Sequence, residues 1–396
     1  MPTAVVLGAG MVGSVMAVDL ARDPGWRVTV ADGRATALQA ASDRARAAGV
    51  ALGTMNADLS SAAELRRAIE PADIVLGALS SAIGFVTLQR VIEAGKNYSD
   101  IAFMPEDATD LDALAKSRGV TAVVDCGVAP GMSNMIAGHE VAKLAEATSI
   151  AIYVGGLPRE RRLPFQYKAG FAPGDVIEEY TRPTRLVEHG RVVVREPLTE
   201  PEMLDFAGLG TLEAVNTDGL RSLVKSLKVP FMKEKTLRYP GHYDLMRAFK
   251  ETGLFGTDPI EVRGVRVAPR DVIAALMFPK WTYEPGEEDL TVMRIVVEGR
   301  PSGENGGGHP APCRVTWDLV DFYDREWGGG VARGGGATSM ARTTALPATA
   351  VARRIASGAL KEPGVIPPEL LGRRAGFLDS IVAELAGKAI RYTRST

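Results

Sequence analysis

Near its start the chain runs Ala4-Val5-Val6-Leu7, then Gly8-Ala9-Gly10-Met11-Val12-Gly13, then a helix-compatible stretch from Ser14 to Arg22. An apolar strand, a glycine turn and a helix start in that order leave few folds open. The glycines remove the side chains that would keep a ligand away, and the helix start presents unpaired backbone N–H groups, so the segment suits a pyrophosphate. A second apolar run, Trp26 to Ala31, ends in Asp32, about 20 residues past the last of these glycines. A carboxylate there accepts hydrogen bonds from both ribose hydroxyls and repels a 2′-phosphate, which predicts NAD as cofactor in preference to NADP. Arg34 is the neighbour that would accommodate the phosphate instead. Gly8, Gly10, Met11, Val12, Gly13 and Asp32 are therefore candidate cofactor contacts.

Helix and strand patterns alternate from there: helix 35–48, strand 51–58, helix 62–69, strand 74–79, helix 84–94, strand 97–100, helix 105–118 and strand 120–124. Such alternation predicts an α/β fold with a doubly wound parallel sheet, the Rossmann arrangement, over residues 1–130. Ligands of open parallel sheets lie beyond the carboxyl ends of the strands, so Asp58, Leu79, Ser80, Ser81 and Asp100 join the cofactor candidates. From Ser149 the texture changes to an extended apolar run and many short pieces broken by Pro and Gly, which predicts a mixed α/β domain over residues 131–345. Residues 185–196 read as a hairpin turning at His189-Gly190. Residues 293–298 and 314–323 read as strands facing each other across a Gly- and Pro-rich loop, 299–312. That loop and 328–336 are expected to be mobile surface connections. Pro347 is expected to open a helix over 348–356, followed by one over 376–390, with residues 346–396 packing back on the first domain.

With 396 residues, 46% of them hydrophobic, the chain can bury more than one core. Its 46 basic and 48 acidic residues leave a formal net charge of −2, which gives no electrostatic reason to expect nucleic acid or an anionic membrane as partner. The first strand lacks a cationic flank and is followed at once by glycines, so neither a signal peptide nor a membrane span is expected, and a cytoplasmic location follows. Cys126 and Cys313 share no metal-ligand spacing with each other or with the four histidines, so neither a disulfide framework nor a metal site is expected.

Three blocks are candidates for the chemistry. In Asp125 to Asn134 a strand end turns through Pro130-Gly131 into a helix whose start would offer N–H donors to a carboxylate. Asp125 there is either a functional carboxylate or a turn former. In Glu213 to Arg221 polar groups crowd a turn, with helix capping by Thr217 or Asp218 as the alternative. Lys235 to His242 sets Arg238, Tyr239 and His242 together at a turn, and a guanidinium grips a carboxylate through two parallel hydrogen bonds. His139, His189 and His309 read as structural.

The glycine turn, the Asp125–Asn134 block, Tyr153-Val154-Gly155-Gly156-Leu157-Pro158, Asn216 to Arg221, Thr236 to His242, Met340 to Thr344 and Gly364 to Glu369 together resemble the saccharopine dehydrogenase-like family, in particular its lysine 6-dehydrogenase branch. The resemblance implies a Rossmann domain, a central substrate and dimerisation domain, a C-terminal return, and a homodimer or higher homo-oligomer acting on a small amino acid. It also implies NAD-dependent oxidative deamination at the ε-amine of L-lysine, giving ammonia and a semialdehyde that cyclises. The alternative is a saccharopine dehydrogenase or reductase that joins or cleaves the semialdehyde and glutamate. By matching position Asp125 is the catalytic carboxylate. Arg238 is expected to hold the α-carboxylate, with Asn134, Thr217, Tyr239 and His242 around the substrate and His242 a catalytic candidate. The family's reductases carry a lysine at the end of the fifth strand, where this chain has Tyr98-Ser99-Asp100. A glutamate moiety would need a second anchored cation, for which Lys168 and Lys235 are candidates.

Overall fold

In a computed structural model, residues 1–284, 286–301 and 311–396 are described. His309 and most of the 299–312 loop lie outside them. The first sheet has seven parallel strands in the order Gly364–Ile366, Thr121–Val123, Asn97–Asp100, Ile74–Gly77, Thr3–Leu7, Arg27–Asp32 and Gly53–Asn56. Its central strands are covered on both faces, which is why Ala4 to Leu7 and Ile74 to Leu76 are continuous apolar runs with no exposed surface. Between Thr3–Leu7 and Ile74–Gly77 the strand order reverses, and at such a point a crevice opens beyond the carboxyl ends.

A second, nine-stranded mixed sheet is organised by the long strand Leu144–Pro158. It pairs antiparallel with Asp289–Pro301 and parallel with Phe231–Arg238. One face of this sheet, with Ile150, Ile152, Met293, Ile295, Val315, Trp317 and Leu319, belongs to the same hydrophobic cluster as Val15 and Met16 of the first domain. Two helices, Met132–Val141 and Ser339–Ala356, fill the space between. The two sheets therefore share one core, which fixes the two domains against each other. The hairpin expected around His189-Gly190 forms from Thr184–Glu188 and Arg191–Arg195, and the expected pair across the loop forms from Asp289–Pro301 and Cys313–Phe322.

The C-terminal expectations need correction. Pro347 does not open a helix; it sits inside Ser339–Ala356, whose start is capped by Thr338. The helix tolerates the lost N–H because its surroundings bury Ala345, Leu346, Ala348 and Val351 completely, and packing outweighs one missing hydrogen bond. The boundary expected at 345/346 falls within this helix. Its Thr349 and Arg353, with Lys388, converge on buried Asp19 of the first helix. Two short strands went unread: Gly364–Ile366 extends the first sheet and Tyr392–Ser395 the second. Residues 328–336 are not loose either. Trp327 is buried beneath the Arg22 and Arg44 guanidinium groups, and Gly329 packs on the Ala47 carbonyl. No helix among the described residues is long and apolar enough to cross a membrane.

Candidate functional site

The cradle at the front of the first sheet forms as its glycines require. Gly8 has φ +98°, and a Cβ there would run into the Ala78 carbonyl; at Gly13 it would run into the Gly8 carbonyl. A Cβ on Gly10 would meet nothing within 4 Å, so this side of the turn is open. Helix Met11–Ala21 starts at Gly10 without a side-chain cap, which leaves the N–H groups of Met11, Val12 and Gly13 for a ligand. Asp32 accepts from Ala9 N and Arg34 N, each at 2.8 Å, and from the Arg34 guanidinium at 3.2 Å. Burial works against its ionisation, but these hydrogen bonds from Arg34 and Ala9 hold the carboxyl below its ordinary pKa. Open turn, free N–H groups and an ionised carboxylate fit a dinucleotide.

The remaining cofactor candidates divide. Leu79 and Ser80 follow the fourth strand, and Leu79 lies beside Gly8. Ser81 donates to Asp175 at 2.6 Å, tying the crevice to helix Pro173–Thr181 of the second domain. Asp58 binds Ser60 N and Oγ at 2.9 and 2.6 Å, a local turn. Asp100 is fully buried beneath Asp125, whose N–H it accepts at 3.3 Å, and burial followed by the nearby Asp125 charge pushes its pKa well up. It supports the cleft floor rather than the cofactor.

Across that floor a buried ion pair joins the domains. Asp125 receives Arg221 Nε at 3.1 Å and Nη2 at 3.3 Å, while Arg221 Nη1 donates to the Met104 carbonyl at 2.6 Å. Both side chains are almost wholly buried, and both residues have positive φ, 51° and 53°. Left-handed backbone at two facing non-glycine residues costs on the order of 1 kcal/mol each and points to a functional constraint. Arg182 and Arg221 both lie over the Phe103 ring, at 4.7 and 5.1 Å from its centre. Arg182 Nη1 is buried without a partner, and burial, then Arg221, lowers its pKa. Asp218 is not a helix cap: it holds Arg185 through two contacts of 2.8 Å. Thr217 donates to Glu234 at 2.6 Å. The start of helix Met132–Val141 is also closed, because Gly127 and Val128 carbonyls accept from Met132 N and Ser133 N.

Arg238, Tyr239 and His242 are placed elsewhere, around the second domain's aromatic cluster. Arg238 bonds Glu179 at 3.0 Å and Tyr180 at 3.2 Å and lies 4.4 Å from the centre of the Tyr167 ring. His242 is fully buried between the Tyr180 hydroxyl, 2.9 Å, and the Phe165 carbonyl, 2.8 Å. Burial, then Arg238, pushes its pKa down to about 3, which makes it a neutral packing group. The Tyr239 hydroxyl donates to the Pro158 carbonyl at 2.9 Å. Asn134 is fully buried, its Oδ1 accepting from Ser133 and its Nδ2 unpartnered. Neither lysine serves as the second anchor. Lys168 binds Glu287 and the Thr282 carbonyl, and Lys235 binds Glu202 and the Glu200 carbonyl. The free donor is Arg182, which no spacing in the sequence marks, and Arg221 closes the Glu213–Arg221 block with nothing in its local sequence that points to Asp125. No group of three or more potential metal ligands occurs among the described residues.

Residues 4–123 match the family described as saccharopine dehydrogenase NADP binding domain, and residues 127–390 the one described as saccharopine dehydrogenase C-terminal domain. The mitochondrial alpha-aminoadipic semialdehyde synthase of Mus musculus is 23% identical, with 96% of this chain and 46% of that protein aligned. The chain thus spans about half the length of that relative. A Schizosaccharomyces pombe saccharopine dehydrogenase (NADP+, L-glutamate-forming) is 19% identical over 83% of this chain and 86% of its own length. Among solved structures, apo saccharopine dehydrogenase (L-Glu forming) of Saccharomyces cerevisiae superposes with a TM-score of 0.76 at 16% identity, covering all of both chains. Homospermidine synthase of Legionella pneumophila, in complex with NAD, gives 0.60 at 10% identity, covering 100% of this chain and 91% of that one. These two likenesses are of fold. The chain belongs to the saccharopine dehydrogenase family, a nicotinamide-cofactor domain joined to that family's C-terminal domain.

Proposed function

We propose that the protein is a nicotinamide-dependent oxidoreductase that cleaves the secondary C–N bond of a saccharopine-type amino acid in the cleft between Asp125 and Arg182. The observation that carries this reading is Arg182, a guanidinium with a buried, unpartnered Nη1, set beside Arg221 over Phe103. A substrate with a glutamate moiety brings more than one carboxylate to the site, and a spare guanidinium beside an exchangeable one suits it. Substrate entry exchanges the internal Asp125–Arg221 pair for two new pairs, a carboxylate on Arg221 and the amine on Asp125, so no charge is left bare. A bound nicotinamide supplies the hydride acceptor. For hydride to leave carbon the nitrogen lone pair must be free, so Asp125 takes the amine proton and passes it to solvent, and as a carboxylate again it faces the positive charge developing on nitrogen. Water attack on the resulting iminium separates amine from carbonyl.

The ionised Asp32 supports NAD over NADP, and the exposed Arg34 side chain paired with it is the group that would take a 2′-phosphate instead. Exposed Val192, Val194, Phe231 and Phe322 on the second sheet support a homodimer or higher homo-oligomer. Asp100, standing where the family's reductases carry lysine, favours the second reading, ε-deamination of lysine. The test follows reduced cofactor at alkaline pH with saccharopine or L-lysine, each with NAD or NADP. Turnover of saccharopine alone is expected; turnover of lysine alone selects the second reading, and turnover of neither overturns both.

A further inference from the structure

Glu234 is a buried carboxylate that the proposed reaction does not use. It lies on strand Phe231–Arg238 and is 4% exposed. Among the described residues no lysine, arginine or histidine pairs with it. Its hydrogen bonds come from Thr217 Oγ1 at 2.6 Å and Gly219 N at 3.0 Å, and both go to Oε2, which leaves Oε1 for another donor. Gly219 is pressed so close that a Cβ there would overlap the carboxyl group. The charged groups that act on it are Glu179 of helix Pro173–Thr181 and Asp218 of the adjoining turn. Both are negative, and each already holds its own arginine, Arg238 and Arg185.

A buried carboxylate without a counter-ion is costly, so such a group stays neutral until a ligand supplies the missing cation. The segment from Thr217 to Arg221 connects this group to the cleft: Gly219 N rests on Glu234, and Arg221 rests on Asp125. With Cα atoms about 3.8 Å apart along the chain, Gly219 and Arg221 are separated by no more than about 7.6 Å. We propose that Glu234 receives the α-ammonium of the substrate's lysine half while Asp125 receives the reacting nitrogen, which makes Glu234 a specificity-determining residue for an α-amino acid. The assignment rests on the saccharopine-type reading. Burial, with the Glu179 and Asp218 charges adding to it, raises the Glu234 pKa to about 8, so the free protein holds this carboxyl mostly protonated at neutral pH. When an ammonium arrives, the carboxyl O–H breaks and its proton passes to solvent, leaving a carboxylate–ammonium pair.

The experiment is calorimetric titration of protein saturated with reduced cofactor, which cannot accept hydride, with saccharopine and with N-(5-carboxypentyl)glutamate, the same molecule without the α-amine, in buffers of different ionisation enthalpy. For the wild type near pH 7, saccharopine is expected to release about one proton and the analogue none, and saccharopine affinity rises with pH up to about 8. Glu234→Gln is expected to weaken saccharopine by about tenfold or more and the analogue by less than about twofold. Because the proton count is read on the wild type, a variant that fails to fold does not shelter the idea. Equal weakening of both ligands, or no difference in proton release between them, overturns the Glu234 assignment alone. A wild type that binds neither ligand overturns the functional reading and this assignment with it.

Discussion

Two buried arginine–carboxylate pairs, Arg221–Asp125 and Arg238–Glu179, look alike in composition and differ in what they join. The first spans the two domains, strains the backbone at both of its residues, and sits beside a guanidinium with an unused donor. The second lies within one domain, walled by Tyr167, Tyr180, Tyr243 and Trp281, with every arginine nitrogen bonded. A pair across a cleft can be exchanged for a substrate's own charges. A pair inside an aromatic core cannot be opened without leaving a carboxylate buried and bare. The lesson is that charge and burial do not identify a site until the elements the pair connects are known.

The sharpest way to break the comparison is Asp125→Asn. It should lower kcat by about 100-fold or more while cofactor affinity, measured by fluorescence titration, stays within about twofold. Near-normal turnover would remove Asp125 from the chemistry. Next comes the parallel change of both arginines. Arg221→Lys should lower kcat/KM by about 10- to 100-fold with a nearly unchanged Tm, because the two-pronged grip is lost. Arg238→Lys should act the other way round, destabilising by about 2 kcal/mol with kcat/KM per folded molecule held within about threefold. If the two exchanged behaviours, Arg238 would be the substrate anchor that the sequence pattern suggested.

Asp32→Ala should raise KM for NAD by about tenfold and leave KM for NADP little changed, read from initial rates with each cofactor. Equal losses would show that Asp32 organises the turn, through Ala9 and Arg34, more than it selects the ribose. The smallest effect concerns His242. Its folded pKa of about 3 lies below that of the unfolded chain, so the unfolded state takes the proton first as pH falls. Its contribution is therefore intact above about pH 6.5 and is lost progressively below it, reaching roughly 2 kcal/mol at pH 5. Urea midpoints at neutral and acid pH should show this loss, and His242→Gln should reduce it. An acid limb in kcat that His242→Gln removes would instead return His242 to catalysis.

Much of the fold was legible in the chain. The glycine turn, the continuous apolar runs and their alternation with helices specify a doubly wound sheet, because each is set by local backbone geometry and by burial on both faces. Gly364-Val365-Ile366 escaped because three residues show no period, and Pro347 misled because a proline opens helices more often than it is tolerated within one. In the site, Asp125 was legible from the end of its strand and from the family resemblance. Arg182 was not, since Thr181-Arg182-Pro183 resembles any surface turn.

The amino-acid order by itself determined the cofactor domain and the carboxylate at its edge, since both follow from contacts between near neighbours in the chain. Which arginine pairs with that carboxylate, and which lies beside that arginine, was decided only by the tertiary structure. Arg182 and Arg221 come from segments 39 residues apart, and both reach Phe103 of the other domain. Electrostatic partnership depends on separation in space and on the water excluded there, and neither is written in local sequence.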